Sequence, residues 1–320
     1  MPLIELSGVD KTFTVRRRTG RLRRARQVVR AVGDLSFTVD AGELVAYIGP
    51  NGAGKSTTVK MLTGILVPSA GRVRVDGLDP ARQRRELAGR VGVVFGQRTT
   101  LWWDLPLRDS FDLLRRLYRI TPSRYRANLD RYVDLLELGP LLATPVRQLS
   151  LGQRMRGDLT AALLHDPVIL YLDEPTIGLD VTSKAAVRAF LAEMNRDRGT
   201  TILLTTHDLD DVERLCRRVM VIDNGRLGFD GDLTALRAHA AAERTLVVDL
   251  LAPAPPIELP GARVVRVDGP RQWLSFPAET RAAPLVAAVM ERYPVADIAL
   301  REPDIADVVA RLYAESSRRA

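Results

Sequence analysis

The chain is short of several things, and each shortage narrows what it can be. Cys216 is its one cysteine in 320 residues, which excludes an internal disulfide and suits a reducing compartment. No apolar run approaches the roughly 18–20 residues that cross a bilayer. The opening MPLIELSGVDK has neither the basic start nor the long apolar core of a secretory signal. A cytoplasmic chain that does not itself span a membrane is therefore expected. Lysine is scarce too, at positions 11, 55, 60 and 184, so the net charge of +8 comes from arginine. Arginine spread along a whole chain names no partner. The one dense patch is RRRTGRLRRARQVVR at 16–30. It reads either as a solvated loop between strands or as a segment drawn to anionic lipids, an attraction worth ~1 kcal/mol per basic residue near the surface.

What remains is an ordinary globular composition, 46% apolar and 27% charged, long enough for about two domains. LIELSGVDKTFTV and VRAVGDLSFTV read as strands, and LVAYIG (44–49) is an apolar strand before a Gly-rich turn and a helix. VGVVFGQ, VILYL and TILLTT are further apolar strands, separated by helical stretches. That alternation predicts a mostly parallel sheet with crossover helices. Residues 105–142 carry helical spacing, with Leu113, Leu114, Leu117, Tyr118, Leu135 and Leu136 as expected core positions. Asn224-Gly225 marks a hairpin. Beyond it the pattern changes, and a small α+β domain is expected over 241–320. It closes on a helix with Ile305, Val308, Val309, Leu312 and Tyr313 on one face.

GPNGAGKST, residues 49–57, fits G-x-x-x-x-G-K-[ST] between an apolar strand and a helix, the context that motif requires. Backbone N–H groups from Gly49, Pro50, Asn51, Gly52, Ala53 and Gly54 onward, Pro50 lacking one, would wrap a β-phosphate at the helix start. Lys55 would reach the β- and γ-phosphates, Ser56 would coordinate Mg²⁺, and Thr57 closes the motif. VILYLDEP (168–175) delivers Asp173 to the C-terminal end of a buried strand, where such sheets bind ligands. Asp173 suits magnesium and Glu174 suits polarisation of a water. Alone, the pair would be an acidic strand-end turn; with the phosphate loop present, it is machinery. Gln97 ends another strand, where its amide could reach Mg²⁺ or water. His207 follows TILLTT and could cap the next helix or contact a γ-phosphate. His165 and His239 have no such setting.

These pieces in this order resemble the nucleotide-binding subunit of an ABC transporter over roughly residues 3–235. GPNGAGKST looks like its Walker A motif, VILYLDEP its Walker B, Gln97 its Q-loop glutamine, LSLGQ (149–153) its signature, IGLD (177–180) its D-loop and His207 its switch histidine. The resemblance implies an α/β P-loop NTPase fold over residues 1–240. That fold has a RecA-like core, an antiparallel β subdomain and an inserted helical subdomain at about 98–160. It implies ATP and Mg²⁺ as cofactors, with Phe13 stacking on adenine beside Val32. Ser56, Gln97 and Asp173 would hold the metal, and Lys55, Glu174 and His207 would serve hydrolysis. The resemblance also implies a second ATP-binding subunit, expected to be an identical copy. Each site would be completed across the interface by Ser150, Gly152, Gln153 and Asp180. A separate membrane permease is implied, its groove lying near RTTLWWDLP (98–106), and nucleic acid is not expected as a partner. The finer match, to exporters of drugs, sodium or viologens, rests on VFGQRTTLWWDLP, LSLGQRMR, DEPTIGLD and REPDIADVVARLY.

Two departures stand out: Leu151 where a second glycine is common, and Ile177-Gly178 in place of Ser-Ala. The competing class is a soluble ABC ATPase working on nucleic acid. Such proteins repeat the nucleotide domain or carry long coiled-coil insertions, and neither occurs here. A nonhydrolytic regulatory subunit is disfavoured because Lys55, Gln97, Asp173, Glu174 and His207 are all present. Locally, Ser150 and Gln153 spell an S-x-x-Q capping box, so LSLGQ is first a well-capped helix start and second an anion site.

Overall fold

The structure is a computed structural model that describes residues 2–18, 24–96, 98–240 and 243–301, with Val308 and Leu312. The backbone alone is described at 16–18, 24–26, 238–240 and 243. In chain order the first elements are β1 (Ile4–Arg18), β2 (Arg24–Val39), β3 (Leu44–Ile48), α1 (Lys55–Leu62), β4 (Ala70–Val75), α2 (Arg84–Ala88) and β5 (Val91–Phe95). Next come α3 (Leu107–Leu117), α4 (Pro122–Leu135), α5 (Leu151–Leu163), β6 (Ile169–Asp173), α6 (Val181–Arg198), β7 (Thr201–Thr206), α7 (Leu209–Leu215), β8 (Arg218–Asp223) and β9 (Arg226–Asp232). The remainder is α8 (Leu233–Ala240), β10 (Glu243–Leu250), β11 (Arg263–Asp268), β12 (Arg271–Pro277), α9 (Ala282–Arg292) and β13 (Val295–Arg301).

Two compact units divide at Asp230/Gly231, inside β9. In the first unit a six-stranded sheet runs β5-β6-β7-β3-β8-β9. Its inner strands LVAYI, ILYLD and TILLTT are almost wholly buried, the continuous apolar signature of a parallel sheet covered on both faces. The register brings the C-terminal ends together: Phe95 opposite Asp173, Asp173 opposite Thr205, and Thr206 opposite Ile48. That row of strand ends is where the site forms. Asn224 and Gly225, both at positive φ, turn β8 back into β9.

A second, antiparallel sheet runs β2-β1-β4. Its Ile4, Leu6, Val32 and Phe37 pack with Tyr47, Val59, Leu62, Tyr171 and Met220 in one core. Most of the basic segment is strand rather than the loop that its charge allowed, while residues 19–23 lie outside the described residues. The β1–β2 ladder runs unbroken from Thr12↔Arg30 to Arg18↔Arg24, so residues 16–18 and 24–30 are strand. The helical stretch corrects another expectation. Leu114 and Leu136 are buried as expected, but Leu113, Leu117 and Leu135 are exposed. In α3 the buried set is Leu107, Ser110, Phe111 and Leu114. Leu113 lies off that stripe and Leu117 ends the helix, so the stripe is anchored by Phe111.

The second unit holds the sheet β11-β12-β10-β13. Leu246, Val248, Leu274 and Phe276 alternate onto one face and pack with Leu285 and Val289 of α9. Val308 and Leu312 are helical and buried; Ile305, Val309 and Tyr313 lie outside the described residues.

Candidate functional site

Strand β3 ends at the phosphate loop, and the loop is held from behind. The Gly225 N–H donates to the Ala53 carbonyl at 2.9 Å, and the Ala53 N–H closes a turn on Pro50 at 3.1 Å. Asn51 and Gly52 are exposed, Gly49 and Ala53 are buried, and Thr57 is half-buried at the base of α1. Gly54 caps that helix at φ 108°, and a Cβ there would meet the Ala31 carbonyl at 2.6 Å. Both conformation and space therefore demand glycine. Buried Val32 lies beside it, 3.3 Å from the same built Cβ. Phe13 sits further along the ladder, opposite Val29, with the Lys11 ammonium 5.2 Å from its ring centroid.

Lys55 is buried and folded back on the loop, donating to the carbonyls of Gly49 (2.6 Å) and Pro50 (3.2 Å). Burial pulls its pKa below the usual lysine value, against the opposing charges of Glu174 and Asp173. Across from it the Ser56 hydroxyl donates to Asp173 Oδ1 at 3.3 Å, and the Thr205 hydroxyl donates to the same oxygen at 2.6 Å. Sequence reasoning missed Thr205, although a parallel partner strand with threonine at its end was the available signal.

Glu174 follows in the left-handed region at φ 56°, its N–H donating to the Thr205 carbonyl at 2.9 Å. A non-glycine residue held there costs about 1–3 kcal/mol and needs support from its surroundings. The bend brings Glu174 Oε1 to 3.4 Å from His207 Nδ1, which is an ion pair when the imidazole is protonated. His207 does not cap α7; Asp208 does, accepting from the Asp210 N–H at 3.1 Å. Ser56, Lys60, Phe95, Arg98, Asp173 and Glu174 line a cleft of about 400 Å³. Gln97 lies outside the described residues, between Gly96 and Arg98 of that lining.

Among the described residues no three His, Cys, Asp or Glu side chains gather as a metal cage. A hydroxyl, one carboxylate and an open cleft suit Mg²⁺, which takes one or two carboxylates and completes its shell from phosphate and water.

Behind the strand ends lies a buried network that the sequence did not announce. Asp211, fully buried, accepts from the Thr176 hydroxyl and from Arg188 Nε at 2.5 Å. Lys184 meets Asp208 at 2.5 Å. These contacts join the turn after Glu174, helix α6 and the turn after His207.

Ser150 caps α5 in a full capping box. The Gln153 N–H donates to Ser150 Oγ at 3.2 Å, and the Ser150 N–H donates to Gln153 Oε1 at 2.9 Å. Gly152 packs under α6, where a Cβ would meet Ser183 Oγ at 2.5 Å. Asp180 caps α6 through the Ser183 N–H at 2.9 Å, and that bond, with the Ser183 hydroxyl, holds its carboxyl below the usual range. Leu151 reaches Gly178, its Cδ2 at 3.0 Å from where a Cβ would stand. The chain thus brings Lys55, Ser56, Asp173, Glu174 and His207 into one cluster. Ser150, Gly152, Gln153 and Asp180 gather in a second group, where α5 meets α6.

A phosphate loop after the central strand β3, with a carboxylate pair at the end of β6, one strand removed across β7, defines a P-loop nucleotide-binding protein. The comparisons narrow this class. The family model for ABC transporters matches residues 32–177. Daunorubicin resistance ATP-binding protein DrrA3 of Streptomyces coeruleorubidus is 35% identical over 298 residues, 90% of this chain and 93% of that one. Nod factor export ATP-binding protein I of Rhizobium leguminosarum bv. viciae is 32% identical over 321 residues, 97% and 94% of the two chains. The dimeric post-hydrolysis structure of the ATP-binding cassette MJ0796, bound to ADP and Pi, superposes with a TM-score of 0.61 at 25% identity, covering 72% of this chain and 98% of that one. The chain belongs to the ABC transporter family, as an ATP-binding subunit.

Proposed function

We propose that this subunit hydrolyses Mg·ATP as one half of a head-to-tail pair of identical copies and thereby drives export through a separate membrane permease. The observation that carries the reading is the row Ser56–Asp173–Glu174–His207 across the strand ends, with Lys55 behind it. Lys55 would exchange its two loop carbonyls for the β- and γ-phosphates. Ser56 and Asp173 would hold Mg²⁺, which supplies charge neutralisation on the phosphate oxygens. Glu174 would accept a proton from the attacking water, and His207 would orient the carboxylate and reach the γ-phosphate. Ser150, with the N–H groups at the start of α5, would close over the γ-phosphate held by the other subunit.

A permease partner is supported by an exposed aromatic pair just beyond Gln97: Trp102 is 41% exposed and Trp103 50%, on the segment where the family receives its membrane subunit. Among the described residues no helix is long and apolar enough to cross a membrane. Export is supported by the Nod factor export protein among the relatives, and drug resistance, the role of the other, accords with it. The residues after the cassette are proposed as an accessory α+β domain.

Glu174→Gln tests the chemistry. It should bind ATP as wild type does and lose most turnover, since a general base contributes ~10²–10⁴-fold. Near-wild-type phosphate release by this variant would refute the assignment. Direction is read in inverted membrane vesicles containing the permease, where export appears as ATP-dependent accumulation and uptake activity would overturn the exporter reading.

A further inference from the structure

The β1–β2 ribbon is more than a connection. Between Asp10 and Asp34 the chain has nine basic residues and no acid. Strand β4 flanks β1 only as far as the Asp10↔Ala70 pair. Thr12 still bonds to Ser69 through its N–H at 3.1 Å; past it, β4 no longer pairs with β1, and β1 and β2 pair only with each other from Phe13↔Val29 to Arg18↔Arg24. A lone two-stranded ribbon is marginal in water. Its register makes matters worse, because Arg16 stands opposite Arg26 and Arg18 opposite Arg24. Like charges directly across a ladder destabilise it. Strand alternation sets both arginine pairs on one face, together with Thr14↔Val28 and Thr12↔Arg30. A ribbon built this way gains order where a dense anionic surface neutralises that face.

Two chemistries offer such a surface, a nucleic-acid backbone and an anionic bilayer, and the valines choose between them. Val28 on the arginine face is 66% exposed, and Val15 on the other face is 48% exposed. Exposed aliphatic side chains among arginines have nothing to gain from phosphodiester strands. At a bilayer they bury into the headgroup–acyl boundary while the charges meet the headgroups.

We propose that the ribbon of residues 12–18 and 24–30 is a membrane-contact arm that binds anionic phospholipid headgroups through Arg16, Arg18, Arg24 and Arg26. The arm does not depend on the hydrolytic reading, and its test needs no ATP. Full-length protein is floated with vesicles of phosphatidylcholine alone and of phosphatidylcholine mixed with phosphatidylglycerol. Wild type should rise only with the phosphatidylglycerol vesicles, and added NaCl should release it. Replacing all four arginines by glutamine should weaken binding about fivefold per residue, on the order of several hundredfold together. Four lysines instead should keep most of the binding, which separates charge from fold. Val28→Ser should weaken it severalfold without altering its salt dependence. Should the glutamine variant fail to fold, the lipid selectivity of wild type and of the lysine variant decide the matter. Equal binding to both vesicle types, undiminished binding by a folded glutamine variant, or capture by duplex DNA at salt that releases the vesicles would overturn the proposal.

Discussion

Leu151 and Gly178 each depart from the residues usual in the family, and the structure places them against each other. The leucine fills space that a Cβ at position 178 would narrow to a 3.0 Å contact with its Cδ2. Position 178 is also left-handed, at φ 71°. Gly178→Ala therefore carries a backbone strain of about 1–3 kcal/mol and, in addition, a clash. Leu151→Ala should relieve the clash and leave the strain. Denaturant unfolding of both single variants and the double variant should show a favourable coupling of roughly 0.5–1 kcal/mol. Strict additivity would mean that the two departures are independent. At this scale a motif that fixes residues by chemistry singles out side chains that the fold brings together, as at Lys55, Ser56, Asp173 and Glu174. The sequence was silent where a role comes from a neighbouring strand or helix. Thr205 and Asp211 matter because of what stands opposite them, and spacing along one chain does not display that.

Polar side chains help to fasten the elements of the site. Helix α5 is tied to the segment after Gln97 by Asp158, whose Oδ1 accepts from Thr99 Oγ1 and the Thr100 N–H, both at 2.9 Å. Burial pushes the Asp158 carboxyl above its ordinary 3.8, against those hydrogen bonds. For an acid whose folded pKa is raised, the folded state holds its proton longer than the unfolded chain. Stability then falls as pH rises from the ordinary carboxylate value through the raised one. Asp158→Asn keeps a carbonyl acceptor and removes that dependence. Its stability relative to wild type should increase from about pH 4 upward and then level off, as chemical unfolding at a series of pH values would show. Asp158→Ala removes the acceptor and should lose about 1 kcal/mol or more. A flat difference across pH would contradict the buried-charge account. The order of strands and helices was legible because fully apolar strands and helical stretches alternate so regularly. The burial of individual leucines in α3 was not, because three-four spacing admits more than one stripe and only the packing of Phe111 selects it.

At the scale of the whole molecule, one chain carries two groups of candidate site residues, for which different tasks are proposed. Lys55, Ser56, Asp173, Glu174 and His207 form a chemical cluster. Ser150, Gly152, Gln153 and Asp180 gather where α5 meets α6. The sequence pattern already raised the question why a chain with a complete phosphate loop has a second prepared helix start. Within the chain the capping box answers only part of it, because Ser150 remains exposed while serving as a cap. The proposed answer lies in a second copy. Sedimentation of Glu174→Gln with and without Mg·ATP, beside the double variant Glu174→Gln/Ser150→Arg, tests this most directly. The account predicts that ATP converts Glu174→Gln from monomer to dimer while the double variant binds ATP equally well and stays monomeric. An ATP-induced dimer in both proteins, or in neither, would contradict the claim that LSLGQ is the other half of a shared site.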